Sequence, residues 1–220
     1  MQLNMSNSDQ EQALEIAKIV HHKLQQIIDD QGSATLAVSG GKSPIKIFEH
    51  LSNTKLDWGK VNVVLVDERI IQPSHEDSNE HLVKTHLLKN NATKAQFYGL
   101  YQDNVSLNNL AKLNYKIDIA ILGMGEDGHT ASIFPDCPEL KQALDLGNTQ
   151  QYMLTNPLTA KYQRITLTLS AILKIPHLIL SISGNIKFNI IKEAYKNHES
   201  EYPIGYVLRN RNDTQIYWFE

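Results

Sequence analysis

The spacing of apolar positions along this chain switches repeatedly between a helical and a strand period, and the switches divide it into alternating helices and strands. Ser8-Asp9-Gln10-Glu11 reads as a capping box. Behind it Ala13, Ala17, Val20, Leu24 and Ile27 recur at helical spacing until Gly32. Residues 35–38 are a short apolar run that stops at Ser39-Gly40-Gly41. Pro44 then suits the first turn of a second helix, with Ile45, Phe48 and Leu51 as its buried stripe. Residues 61–66 are almost all apolar and β-branched, the mark of a strand covered on both faces. A polar loop (72–78) and a helix over about 79–88 follow.

Residues 117–122 form another buried-strand pattern, running into Gly123-Met124-Gly125. Ile165, Leu167 and Leu169 alternate with threonines, which predicts a half-buried strand. Residues 178–182 predict one more, followed by a helix carrying Ile186, Ile190, Ile191 and Ala194 on one side. Residues 206–208 and 216–219 read as short closing strands. Strands alternating with helices predict an α/β fold, a Rossmann-like, doubly wound and mainly parallel sheet with helices on both faces. No repeat or linker interrupts the pattern, so residues 1–220 are taken as one domain.

Four polar or glycine-rich segments each follow directly on a predicted strand. In an open parallel sheet such segments collect at the carboxyl edge, where ligands bind. In Ser39-Gly40-Gly41-Lys42-Ser43-Pro44, two glycines and a helix N-terminus can cradle a phosphate; equally, the turn can need glycine for geometry alone. The spacing is not that of a Walker loop. In Asp67-Glu68-Arg69 the arginine can grip an anion with two hydrogen bonds, or form an ordinary ion pair with a neighbouring carboxylate. Ser78, beyond the loop, suits a helix cap.

The third segment, residues 123–135, has the spacing G-x-G-x-x-G after a strand, but Pro135 leaves room for only about two helical turns where a dinucleotide site needs a long helix. Asp127 and His129 in a glycine-lined turn fit acid/base chemistry better, since a nearby carboxylate can orient an imidazole or favour its protonated form; the alternative is a histidine in an ordinary tight turn, and the sequence does not say whether Asp127 reaches it. Lys187, in the fourth segment, either reaches an anion at the same edge or is a solvated lysine.

Charge and composition remove several function classes. A formal net charge of -3 gives no basic excess for nucleic acid. One cysteine, Cys137, can form neither an internal disulfide nor a zinc cluster. No H-E-x-x-H or G-x-S-x-G motif marks a metal or serine-esterase site, and His75, His81 and His86 have no ligand pattern. No apolar run is long enough to span a bilayer and the first residues are polar, so a cytoplasmic protein that meets no membrane is expected.

Taken together and in order, SGGKSP, VDER…DSN, GMGEDGHTASIFPD and RITLTLSAI resemble the 6-phosphogluconolactonase family over about residues 33–194. The wider group includes glucosamine-6-phosphate deaminases, which typically follow the shared DGH with an F-N-E-P type sequence and carry Asp-Glu-Tyr where this chain has Asp67-Glu68-Arg69. The continuation here, Thr130-Ala131-Ser132-Ile133-Phe134-Pro135, is of the lactonase form. The resemblance implies hydrolysis of 6-phospho-D-glucono-1,5-lactone in the pentose phosphate pathway without a cofactor. It assigns His129 and Asp127 to catalysis, and Gly40, Gly41, Ser43, Arg69 and Lys187 to the phosphate. Asp67, Gly125 and Arg164 would be further pocket residues. Ser43 stands where the family often has threonine, and it keeps the hydroxyl. Lys42 has no role in that scheme.

Overall fold

The computed structural model describes residues 2–101, 110, 113–197 and 200–220. In chain order its first half contains β1 (Gln2–Met5), α1 (Asp9–Gln31), β2 (Ala34–Val38), α2 (Ile45–Ser52), β3 (Val61–Leu65), β4 (Asp67–Arg69), α3 (Asn79–His86) and β5 (Gln96–Tyr98). There follow β6 (Ile119–Leu122), α4 (Leu140–Ala143), β7 (Tyr152–Thr155), β8 (Arg164–Leu167), α5 (Leu169–Leu173), β9 (His177–Ser183), α6 (Asn185–Lys196), α7 (Pro203–Asn210) and β10 (Gln215–Phe219).

Seven strands make one sheet in the order β1-β10-β9-β6-β2-β3-β5, every neighbouring pair parallel. Residues of β2 and β6 are buried at every position, so both faces of the sheet centre are covered. The helices pack in two groups, α1 with α2 and α2 with α3, then α7 with α5 and with α6. This is the doubly wound α/β architecture predicted. From β2 the chain winds outward through β3 to β5, then returns to β6 on the other side of β2. The strand order therefore reverses between β2 and β6, and a crevice opens beyond their carboxyl ends.

Local chemistry explains most element ends. The Ser8 hydroxyl accepts from the Glu11 amide (3.2 Å), while Glu11 reaches back to the Asn7 amide (2.7 Å). Gly32 closes α1 in the left-handed conformation (φ 84°) and donates to the Ile28 carbonyl. Pro44 occupies the N-cap of α2 rather than its first turn. Ile47, Phe48 and Leu51 supply the buried stripe there, and Ile45 is only half-buried.

Three further expectations are corrected. Residues 206–208 are not a strand: Pro203 opens α7, and Ile204, Val207 and Leu208 bury themselves at i, i+3 and i+4. Ile186 is exposed at 59%, and Ile190, Ile191 and Ala194 alone face the core. The alternating segment at 165–169 is not half-buried. β8 is buried throughout, ends at Leu167, and belongs to a second, antiparallel sheet β4-β8-β7. Its threonines satisfy their hydroxyls internally. Thr166 Oγ1 accepts from the Ser132 amide (3.0 Å), and Thr168 Oγ1 accepts from the Ala171 amide (3.2 Å) as the cap of α5. This small sheet continues from the end of β3 and forms one wall of the crevice, because Asp67 and Arg69 of β4 line it.

Candidate active site

The crevice at the β2/β6 reversal is a cleft of about 270 Å³. Residues 39–44 line it from β2, Asp67 and Arg69 from β4, residues 121–125 with His129 from β6, and Lys187 from α6. All four segments singled out in the sequence thus meet at one rim. Gly40, Gly41, Ser43, Arg69, Lys187, Asp67, Gly125 and His129 all border this space. Asp127 does not border it but bonds to His129. Arg164 does not border it either; it stands behind Arg69 as its direct partner across the β4–β8 ladder.

The first loop is shaped by steric necessity. Gly41 has φ 84°, a conformation that disfavours any side chain. A Cβ on Gly40 would fall 1.7 Å from Asn79 Oδ1. Asn79, the first residue of α3, is itself tied down by donating from Nδ2 to the Asp67 carbonyl (2.8 Å). So Gly40 lets the loop from β2 lie against the start of α3, while Gly41 supplies the left-handed turn.

Arg69 is free for a ligand because its neighbouring carboxylates are occupied. Glu68 is fully buried and accepts from the amides of Arg69 (2.7 Å), Asn79 (2.8 Å) and Glu80 (2.7 Å) and from the Ser78 hydroxyl (3.1 Å). Burial pushes its carboxyl pKa up, against the opposing pull of the three amides. Asp67, also buried, accepts from Ser132 Oγ (2.6 Å). Arg69 donates from Nη1 to the Asp77 backbone carbonyl, and its buried Nε has no partner. Among the described residues, none of Lys42, Arg69 and Lys187 forms an ion pair. Three cations therefore border one cleft in a chain whose net charge is -3. That is a local positive field, able to attract an anion, without a basic surface.

The turn after β6 is not helical; it holds a carboxylate–imidazole pair. His129 Nδ1 lies 2.6 Å from Asp127 Oδ1, and the same oxygen accepts from the His129 amide (3.1 Å). A carboxylate on Nδ1 favours the tautomer with the proton there, leaving Nε2 as the basic nitrogen. Burial alone raises the Asp127 pKa, but the hydrogen bond and charge of His129 outweigh it and hold the carboxyl below its usual range. The stability due to that shift is present above the ordinary value of about 3.9 and lost as pH falls through the lower folded value. In an acid titration of Tm, Asp127→Asn should shed part of the wild-type loss below about pH 4. An unchanged acid limb would mean the pair adds nothing.

Gly125 makes the pair possible. A Cβ there would lie 2.3 Å from both Cε1 and Nδ1 of His129 and 2.5 Å from Asp127 Oδ1. Gly125→Ala should therefore cut activity by about 100-fold by displacing the pair, and lower Tm by at least as much as the loss of the pair does. A variant with wild-type turnover would show that the turn tolerates the side chain. The amides of Gly125 and Gly128 are already committed, to the His129 and Gly125 carbonyls (3.0 and 3.1 Å). Those two glycines accordingly offer no donor to an oxyanion.

Asn79, Ser132 and Phe134 stand within the DSN and GMGEDGHTASIFPD segments, but the sequence assigns none of them a role of its own. Phe134 in fact stacks on His129, with ring centroids 4.0 Å apart and planes at 23°. Among the described residues, no group of three or more His, Cys, Asp or Glu side chains is placed to hold a metal ion. No described helix is long and apolar enough to cross a membrane.

The family model described as glucosamine-6-phosphate isomerases/6-phosphogluconolactonase matches residues 7–218. This chain belongs to that family. A 6-phosphogluconolactonase of Neisseria meningitidis serogroup A is 40% identical over 210 residues, covering 91% of each chain. One of Pseudomonas aeruginosa is 38% identical over 226 residues, covering 99% of this chain and 94% of its own. A solved 6-phosphogluconolactonase structure from Shewanella baltica OS155 is 33% identical, covers 100% of this chain and 98% of its own, and superposes with a TM-score of 0.93.

Proposed function

We propose that this chain hydrolyses 6-phospho-D-glucono-1,5-lactone to 6-phospho-D-gluconate at this cleft, as a carboxylic ester hydrolase of the pentose phosphate pathway. The observation that carries the reading is the meeting of an Asp127-paired imidazole with three cations free of ion pairs at one rim. The substrate has the matching pair of features, a phosphate at one end and an activated ester at the other.

Neutral His129 takes a proton from water through Nε2 as the water oxygen attacks C1. The tetrahedral adduct then collapses, the C1–ring-oxygen bond breaks, and the imidazolium returns its proton to the departing ring oxygen. The net change is addition of one water. Asp127 holds the tautomer and stabilises the transient imidazolium. Arg69 and Lys187, with the turn of Gly40, Gly41 and Ser43, hold the phosphate and fix C1 near the imidazole. No cofactor takes part in this scheme, and a cytoplasmic setting suits its substrate.

The reading competes with ammonia release from glucosamine 6-phosphate on the same fold. The lactonase-form continuation, residues 130–135, favours the ester hydrolase. The test is to follow fresh lactone, corrected for spontaneous opening, and in parallel to assay ammonia from glucosamine 6-phosphate. Acceleration of the first alone is expected. Ammonia release, or neither activity, would overturn the assignment.

A further inference from the structure

We propose that Phe134 is a positioning residue for the reaction: its ring fixes the plane of the His129 imidazole, which the Asp127 hydrogen bond alone leaves free to turn. The inference rests on the reading of His129 as the proton-transfer group.

A single hydrogen bond at Nδ1 restrains a histidine in one direction. The ring can still swing about the line from Nδ1 to Asp127 Oδ1, and the final torsion of a histidine side chain is broad, with no strong staggered preference. A swing of that kind moves Nε2, the nitrogen left to take a proton from water. A flat apolar face stacked on the imidazole removes this freedom, because tilting the ring would break the stack on one edge and clash on the other. Phe134 provides such a face at 4.0 Å and 23°.

The local backbone exists to bring that face back. Thr130 and Ile133 form an isolated antiparallel bridge, closed by the Ile133 amide on the Thr130 carbonyl (3.0 Å). His129 and Phe134 are the residues immediately outside that bridge, so the reversal sets them side by side. Ala131, inside it, is held at φ 51°, a left-handed conformation that is costly for a residue with a side chain. Such strain persists where the surrounding structure over-determines it. Here the neighbours do so: Ser132 is bonded at both its hydroxyl and its amide, to Asp67 and Thr166. Phe134 is in turn confined, being only 7% exposed, with the Arg164 guanidinium carbon 5.9 Å from its ring centroid. This gives Arg164 a place in the site without contact with the cleft. It braces the ring that braces the histidine.

The experiment uses the full chain with Phe134→Leu and Phe134→Tyr, and combines steady-state lactone hydrolysis with carbon–proton NMR of the histidine rings. The His129 signals are assigned by their loss in His129→Ala. Wild type should show His129 ring protons displaced upfield by the Phe134 ring current. Phe134→Leu, apolar but without a flat face, should return them toward ordinary histidine positions. It should also lower kcat by about 10- to 100-fold with KM unchanged. Phe134→Tyr should keep both the displaced signals and the turnover.

The proposal is overturned if the wild-type His129 signals show no ring-current displacement, a result that needs neither Phe134 variant to fold. It is also overturned if folded Phe134→Leu keeps wild-type kcat, or raises KM instead. Absence of lactone hydrolysis by wild type would sink the functional reading, while the NMR arm would still report whether the stack orders the ring.

Discussion

His129→Ala should lower kcat for the lactone by about 10²- to 10⁴-fold while leaving KM nearly unchanged. Proton transfer is needed twice in the proposed sequence, once to generate the nucleophile and once to release the ring oxygen, and a single imidazole serves both. Truncating it removes stabilisation made only in the transition state, which appears in kcat and kcat/KM alike. The cation-lined end of the cleft is untouched, so ground-state binding should persist. Asp127→Asn should show a smaller loss of the same kind, because the imidazole remains but its tautomer is no longer enforced. Stopped-flow or pH-stat kinetics on fresh lactone, with the spontaneous rate subtracted, measures both. Wild-type turnover in His129→Ala would remove the imidazole from the mechanism.

Arg69→Ala should act on the other parameter, raising KM by about 10- to 100-fold. A charge-assisted hydrogen bond is worth roughly 1.5–3 kcal/mol, and each 1.4 kcal/mol is a factor of ten. Arg69 is held for this work by its bond to the Asp77 carbonyl, with the nearby carboxylates of Asp67 and Glu68 occupied by other donors. Some loss of kcat should accompany the rise if anchoring the phosphate also sets the distance of C1 from the imidazole. The sharper check uses glucono-1,5-lactone, which lacks the phosphate. Wild type and Arg69→Ala should hydrolyse it equally slowly. If the variant lost as much on the unphosphorylated lactone, Arg69 would be supporting the structure instead of gripping an anion.

The two effects come from residues 60 positions apart, and what unites them was legible in the sequence for a definite reason. An almost wholly apolar, β-branched run such as 61–66 is the usual pattern of a strand inside a parallel sheet, and polar segments after such strands emerge at one edge. The four segments needed no further information to be assigned to a common rim. Side-chain periodicity was silent on what happens behind the rim. Thr166 and Thr168 alternate with apolar residues as a solvent-facing strand would. They are nonetheless buried, because a hydroxyl with an internal partner costs little to bury. Residues 206–208 are too few to distinguish a strand from a helical turn; Pro203, just before them, carries the decisive signal.

The support of the site was similarly hidden. Glu68 looks like a surface acid beside Arg69, yet it is the buried hub that ties β4 to the start of α3. Apart from the Arg69 amide, its partners lie ten to twelve residues away and follow no periodic rule. Gly125 could be read as a turn glycine, but its φ is not positive; it is required by the side chains of His129 and Asp127, which occupy the space where a Cβ would project. Phe134 stands in the sequence only as part of the segment 130–135, and the reversal at Thr130–Ile133 reveals that it lies against an imidazole.

The most direct measurement is a crystal structure of the wild-type chain with 6-phosphogluconate, the product of the proposed reaction. One molecule should extend along the cleft, its phosphate on Arg69 and Lys187 over the Gly40-Gly41 turn and its C1 carboxylate within hydrogen-bonding distance of His129 Nε2. A product whose phosphate sits elsewhere, or whose carboxylate points away from His129 while the phosphate is held, would contradict this arrangement.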